Sequence, residues 1–165
     1  LSKKDALDRA LEMLHKVHIS DPKQRLNQYP HQLSGGQPQR VSIARALMVD
    51  PEFIVADEPV SALDVSIRSQ VLNLLEDLQE KYDLTYLFIS HDLGVVRYVS
   101  NDIMVLYAGH VAESGPAECV LKPPMHPYTE ALLSAAPVPD PADPHCHGQG
   151  IQPHRPRFCV GYCCR

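Results

Sequence analysis

Long apolar runs are missing from this chain: none approaches the ~20 residues a helix needs to cross a bilayer, so a spanning segment is excluded. An excess of basic charge is missing too. Fifteen Lys and Arg stand against twenty Asp and Glu, a formal net charge of -5, which gives no electrostatic reason to expect nucleic acid as a partner. Leu1 to Arg9 is charged and no apolar core follows it, so the pattern of a secretory signal is absent and cytosolic exposure is the default. Of five cysteines only Cys119 lies before Cys146, which excludes a disulfide framework spanning the fold. No internal repeat is evident, and the start on Leu1 in place of methionine suggests a piece of a longer protein, although processing or trimming would look the same. What is present is ordinary for a packed soluble domain: 165 residues, 44% hydrophobic and 21% charged.

Hydrophobic periodicity sets the expected elements. Leu7, Leu11 and Leu14 recur at three- and four-residue steps over Lys4 to Val17, predicting an amphipathic helix capped by Ser2. Tyr29-Pro30 forces an extended approach to Leu33. Ser34 is then the expected N-cap of a helix carrying Val41, Ile43, Ala44 and Leu47, which Asp50-Pro51 ends. Phe53 to Ala56 predicts a short buried parallel strand. A helix over Ile67 to Lys81, strands at Thr85–Ile89 and Ile103–Tyr107, a helix at Leu93–Val99 and an edge strand through Val111 and Glu113 complete the pattern. Alternating strands and helices predict a doubly wound α/β core. Ligands bind such sheets beyond the carboxyl ends of the strands, and Asp57, Glu58 and His91 all follow predicted strand ends. From Pro137 onward prolines crowd a segment with few apolar residues, read as a poorly ordered tail.

Two runs carry the chemistry. In Leu33-Ser34-Gly35-Gly36-Gln37 a hydroxyl and backbone N–H groups free of side-chain bulk sit at an expected helix start, suited to phosphate; a glycine-rich cap without a ligand is the plain alternative. In Phe53-Ile54-Val55-Ala56-Asp57-Glu58-Pro59 two carboxylates close an apolar strand. Asp57 could hold Mg²⁺, a hard cation that prefers oxygen, while Glu58 could polarise an in-line water for phosphoanhydride hydrolysis. A polar turn would look the same. A neutral His91 could hydrogen-bond a γ-phosphate and report its loss, although a lone histidine before Asp92 reads more simply as a turn or capping residue. Ser61-Ala62-Leu63-Asp64 is by residue type a loop, with Asp64 or Ser66 capping the next helix.

In this order and spacing the runs resemble the nucleotide-binding subunits of ABC transporters. Leu33 to Gln37 resembles the family signature, Phe53 to Glu58 Walker B, Ser61 to Asp64 the D-loop and His91 the switch histidine. Tyr29-Pro30-His31-Gln32, Ile89 to Val96 and His126-Pro127-Tyr128-Thr129 are similar to the dipeptide and oligopeptide importers, with nickel importers sharing these traits. The resemblance implies the C-terminal part of a P-loop NTPase (RecA-like) α/β core, together with part of the α-helical subdomain. Residues 1–49 would belong to that subdomain, 50–115 to the core, 116–139 to a peptide-importer extension and 140–165 to the Pro- and Cys-rich tail. It further implies ATP and Mg²⁺ as ligands, with Glu58 and His91 catalytic and Asp57 holding the metal. Ser34, Gly35, Gly36 and Gln37 would meet the ATP held by a second ATPase subunit, and Asp64 would lie at the dimer seam. Integral membrane permease subunits at the cytoplasmic face of the cell membrane would be the other partners.

Three features depart from that pattern. No G-x-x-x-x-G-K-[ST] occurs in these residues, so the phosphate-cradling loop and its lysine are absent, and this stretch alone is expected to bind ATP weakly or not at all. Pro38 stands where a helix-favouring polar residue is usual; with Ser34 as N-cap it would fall at the fourth helical position and delete the first helical hydrogen bond, loosening that turn. The tail places Cys146, Cys159, Cys163 and Cys164 near His145, His147 and His154. An iron–sulfur cluster is conceivable there, but the spacing differs from the expected run, and a shifted frame or divergent end accounts for it more simply. A truncated, non-catalytic fragment and an ABC ATPase outside transport both remain open on the sequence.

Overall fold

The computed structural model describes residues 2–33 and 35–135 in full and the backbone of 158–163. These residues form two compact units, each discontinuous in sequence: residues 1–54 with 59–85, and residues 55–58 with 86–165.

The first unit is built on helices α1 (Lys3–Lys16), α2 (Pro22–Arg25), α3 (Gln37–Leu47) and α4 (Val65–Tyr82). Ser2 and Asp5 form a reciprocal capping box on α1: Asp5 N–H donates to Ser2 Oγ at 3.2 Å and Ser2 N–H to Asp5 Oδ2 at 3.1 Å. His15 and Lys16 in its last turn suit the negative end of the helix dipole. The buried stripe is narrower than periodicity predicts, since Met13 and Leu14 are buried while Leu7 is half exposed. Helix α1 packs on α3. Two guanidiniums tie them together: Arg9 donates to Met48 O and pairs with Asp50, and Arg40 donates to Val17 O at 3.0 Å. Helix α4 buries Val71, Leu72, Leu74, Leu75 and Leu78, the i, i+3, i+4 stripe expected of it.

Gly36, not Ser34, is the N-cap of α3, with Gly35 and Gly36 both in the left-handed region at φ 57° and 78°. Two successive residues of that kind make glycine the residue of choice at both. Pro38 therefore falls at the second helical position. Its missing N–H is one of the donors a helix start never pairs internally, and the first helical bond, Arg40 N–H to Gly36 O at 3.1 Å, is intact. The loosened turn expected at Pro38 does not occur.

The second unit contains most of the sheet. Strands β1 (Phe53–Asp57), β2 (Thr85–Ile89), β3 (Asp102–Tyr107), β4 (His110–Pro116) and β5 (Phe158–Cys163) lie in the order β1-β2-β5-β3-β4. Strand β5 runs parallel to both β2 and β3, while β3 and β4 form an antiparallel hairpin turned at Ala108-Gly109. Phe88 and Ile103 share one row across the sheet, both registered on the backbone of Val160. With Tyr86 and Val105 they make the buried face. Helix α5 (Leu93–Val99) adds Leu93, Val95, Val96 and Val99 to the core. The expectation of a fully buried β1 needs correcting. Among the described residues it is an edge strand, with Phe53 and Val55 53% and 55% exposed, because nothing described pairs with its outer side. Nor does the expectation of a poorly ordered tail hold for all of it: Phe158–Cys163 form β5, between two strands that run parallel to it.

Beyond β4, α6 (Ala117–Val120) packs on the hairpin and α7 (Pro127–Ala135) follows. Glu113 Oε2 accepts from Thr129 Oγ1 at 2.7 Å and from His126 N–H at 3.1 Å. The rings of Tyr107 and Tyr128 meet at 4.5 Å between centroids. The His126-Pro127-Tyr128-Thr129 run is thus docked on β4 through one carboxylate.

Candidate functional site

At the carboxyl end of β1 the chain leaves the extended conformation. Asp57 is the last strand residue, and Glu58 follows in the left-handed region at φ 44°, a conformation that costs a non-glycine residue of order 1 kcal/mol or more. Its N–H donates to Ile89 O, the last residue of β2, at 2.9 Å. This bond holds the two strand ends level. Two residues further along, His91 Nδ1 stands 3.0 Å from Glu58 Oε1, and both side chains remain about half exposed.

A local turn aims His91. Ser90 is buried and its Oγ accepts from Asp92 N–H at 3.1 Å, while Asp92 Oδ1 caps α5 by accepting from Gly94 and Val95 N–H at 2.9 and 3.3 Å. Asp92, and not His91, is therefore the capping residue. The plain reading of His91 as a cap gives way to a side chain paired with an acid from another strand. Asp57 is exposed beside this pair in the chain, and its carboxylate is a donor of the kind Mg²⁺ prefers. Among the described residues, no group of three or more His, Cys, Asp or Glu could by itself hold a metal ion.

The glycine run belongs to the first unit. Gly35, Gly36 and Gln37 form the turn into α3, with backbone N–H groups at a helix start where anions are favoured. Pro38 removes one donor from that set. Ser34 lies outside the described residues. In the same unit Asp64 caps α4, its Oδ1 accepting from Ile67 N–H at 2.9 Å. Of the tail residues, Cys146, Cys164, His145, His147 and His154 lie outside the described residues, and Cys159 and Cys163 are described by backbone alone. The iron–sulfur cluster weighed above as the lesser alternative would rest on these residues.

Known proteins are similar to this chain. A family profile described as "ABC transporter" matches residues 2–61, and one described as "Oligopeptide/dipeptide transporter, C-terminal region" matches residues 112–163. The second match runs to residue 163, which counts against reading the tail as an end out of frame. The oligopeptide transport ATP-binding protein OppF of Bacillus subtilis is 55% identical over 140 residues, covering 85% of this chain and 45% of its own. The di/tripeptide transport ATP-binding protein DppF of Pseudomonas aeruginosa is 48% identical over 165 residues, covering 97% and 50%. The dipeptide transport ATP-binding protein DppF of Escherichia coli is 51% identical over 143 residues, covering 87% and 42%. Among solved structures, the dimeric ATP-binding cassette MJ0796 in a post-hydrolysis state with ADP and Pi is similar with a TM-score of 0.60 at 37% identity, covering 71% of this chain and 49% of that one. The ADP conformation of the cassette MJ1267 gives 0.66 at 25% identity, covering 82% and 52%. The chain spans about half the length of the curated relatives it matches, and it belongs to the ABC transporter ATP-binding family, in its oligopeptide/dipeptide branch.

Proposed function

We propose that this chain supplies the strand-end acids, the switch histidine and the glycine signature of an ATP-hydrolysing subunit that energises uptake of di- or oligopeptides. It would pair with a second ATPase subunit and with membrane permeases at the cytoplasmic face. Residues 1–49 would serve as part of the signature-bearing helical subdomain and 116–139 as the extension typical of the branch. The observation that carries the reading is the approach of His91 Nδ1 to Glu58 Oε1 at a shared strand rim, beside the carboxylate of Asp57.

Glu58 would take the proton of a water placed in line with the γ-phosphorus, the role its position at the strand end suits. His91 would hold Glu58 in orientation. A ring that donates through Nδ1 to Glu58 has an acceptor at Nε2 when neutral. A ring so placed could donate to a phosphate oxygen through Nε2 only when it carries both protons. Asp57 would supply the protein oxygen to Mg²⁺, directly or through water. The bound ion would offset charge on the β- and γ-phosphates. Ser34, Gly35, Gly36 and Gln37 would face the γ-phosphate held by the partner subunit, and Asp64 would lie at the seam.

The reading is tested in a full-length subunit carrying this sequence, by ATP turnover and by uptake of a labelled dipeptide in vesicles with its permeases. Turnover without uptake would place the protein outside peptide transport; neither would remove the reading. The 165-residue chain itself, titrated with a fluorescent ATP analogue, is expected to bind weakly or not at all. Micromolar binding with Mg²⁺-dependent turnover would overturn that expectation.

A further inference from the structure

The start of α3 presses on α4 at one point. A Cβ at Gly36 would stand 2.5 Å from Ile67 Cγ2 and 3.7 Å from Val71 Cγ2, whereas one at Gly35 would meet nothing within 4 Å. Gly36 is buried and Gly35 exposed. The two glycines of the turn thus differ: both relieve left-handed strain, but only Gly36 also makes room for a neighbour. That neighbour is held stiffly, because a β-branched residue in a helix has one strongly preferred χ1. The backbone of Ile67 is in turn fixed by Asp64, whose Oδ1 takes its N–H at 2.9 Å. Further along the two helices, Arg40 Nη2 reaches Gln70 Oε1 at 3.5 Å.

We propose that Ile67 is a positioning residue for the glycine turn of the signature, and that Asp64 acts on that turn through it within its own subunit. The inference rests on the ATPase reading above for its functional consequence. Its geometry stands apart from that reading. Asp64 sets the first turn of α4, the branched methyl of Ile67 follows, and that methyl occupies the space a Cβ on Gly36 would need. A shift of the loop ending at Asp64 would therefore be passed, through the Asp64–Ile67 hydrogen bond and the Ile67 methyl, to the backbone of the glycine turn.

A double-mutant cycle on this chain tests the contact. Gly36→Ala is expected to lower the folding equilibrium constant about tenfold more in the wild type than beside Ile67→Ala, where the obstructing methyl is gone. Gly35→Ala, the control, is expected to be additive with Ile67→Ala. Additive effects at Gly36 would overturn the proposal. In a full-length subunit, Ile67→Leu keeps the side-chain volume but moves the branch, and is expected to lower kcat about tenfold with KM for ATP unchanged. Ile67→Val retains the branch and is expected to restore kcat. An unaltered kcat in Ile67→Leu would also overturn the proposal. A wild-type subunit that fails to turn over ATP removes the functional reading alone, and the cycle then judges the inference.

Discussion

Glu58 and His91 are 33 positions apart in the chain, and Oε1 of the first lies 3.0 Å from Nδ1 of the second. The contact depends on a backbone conformation that strand propensity alone would not select. Glu58 leaves β1 at positive φ, and its N–H is held by the final carbonyl of β2. The strain and the hydrogen bond together fix where the acid points.

If this acid is the base for water attack, removing its charge should abolish chemistry without removing nucleotide. In a full-length subunit Glu58→Gln is expected to lower kcat by at least about 10²-fold, the lower range for a general base, while ATP binding measured by equilibrium titration stays within a few-fold. His91→Ala should fall in the same direction. A Glu58→Gln protein that cleaves ATP at the wild-type rate would remove Glu58 from the mechanism.

The change Pro38→Arg should be close to neutral. Pro38 is exposed at the second position of α3, where a missing N–H breaks no helical bond. Stability is expected to move by less than about 0.5 kcal/mol, as for other surface substitutions. A denaturant melt gives the number, and a gain above about 1 kcal/mol would show that proline strains the turn after all.

Much of this architecture could be read from local rules. Ser2 caps the helix assigned to it, Asp64 is the one of the two candidates Asp64 and Ser66 that caps α4, and the strands β1, β2 and β3 agree with the pattern to within a residue, because caps and alternation act over three or four positions. What escaped was non-local. The choice of Gly36 over Ser34 as cap reflects two consecutive left-handed residues and the pressure of Ile67, which lies on another helix. The exposure of Leu7 and Val55 depends on which faces other segments cover. Likewise, Asp92 displaced His91 from the capping role through Ser90, and the acid that pairs with His91 comes from a different strand.

The His126-Pro127-Tyr128-Thr129 run was visible in the sequence, but its anchor was not. Thr129 is fully buried and gives its hydroxyl to Glu113, which also takes the His126 N–H. Glu113→Ala leaves both donors without that acceptor and is expected to cost about 1–3 kcal/mol. Glu113→Gln, which keeps an acceptor oxygen, should cost less. Amide hydrogen exchange over Pro127–Ala135 locates the effect: faster exchange confined to α7 is expected, and unchanged protection there would mean that the carboxylate does not hold the segment.

Tyr86 gives the chain a defined alkaline weakness. It is fully buried on β2, and burial pushes its phenol well above the ordinary tyrosine value, because the charged form is desolvated. The folded state therefore keeps its proton at a pH where the unfolded state has lost it. The stability from this group is whole below about pH 10, the ordinary tyrosine value, and falls as pH rises from there toward the folded pKa, by up to about 1.4 kcal/mol per pH unit. Other tyrosines and lysines titrate in the same range, so the informative quantity is the difference between two proteins. Tyr86→Phe removes the phenol and keeps the ring. Urea unfolding of both between pH 8 and 11 is expected to give parallel stabilities up to about pH 10, then a gap that widens in favour of the variant. Curves that stay parallel to pH 11 would show that the phenolate is accommodated in the folded sheet.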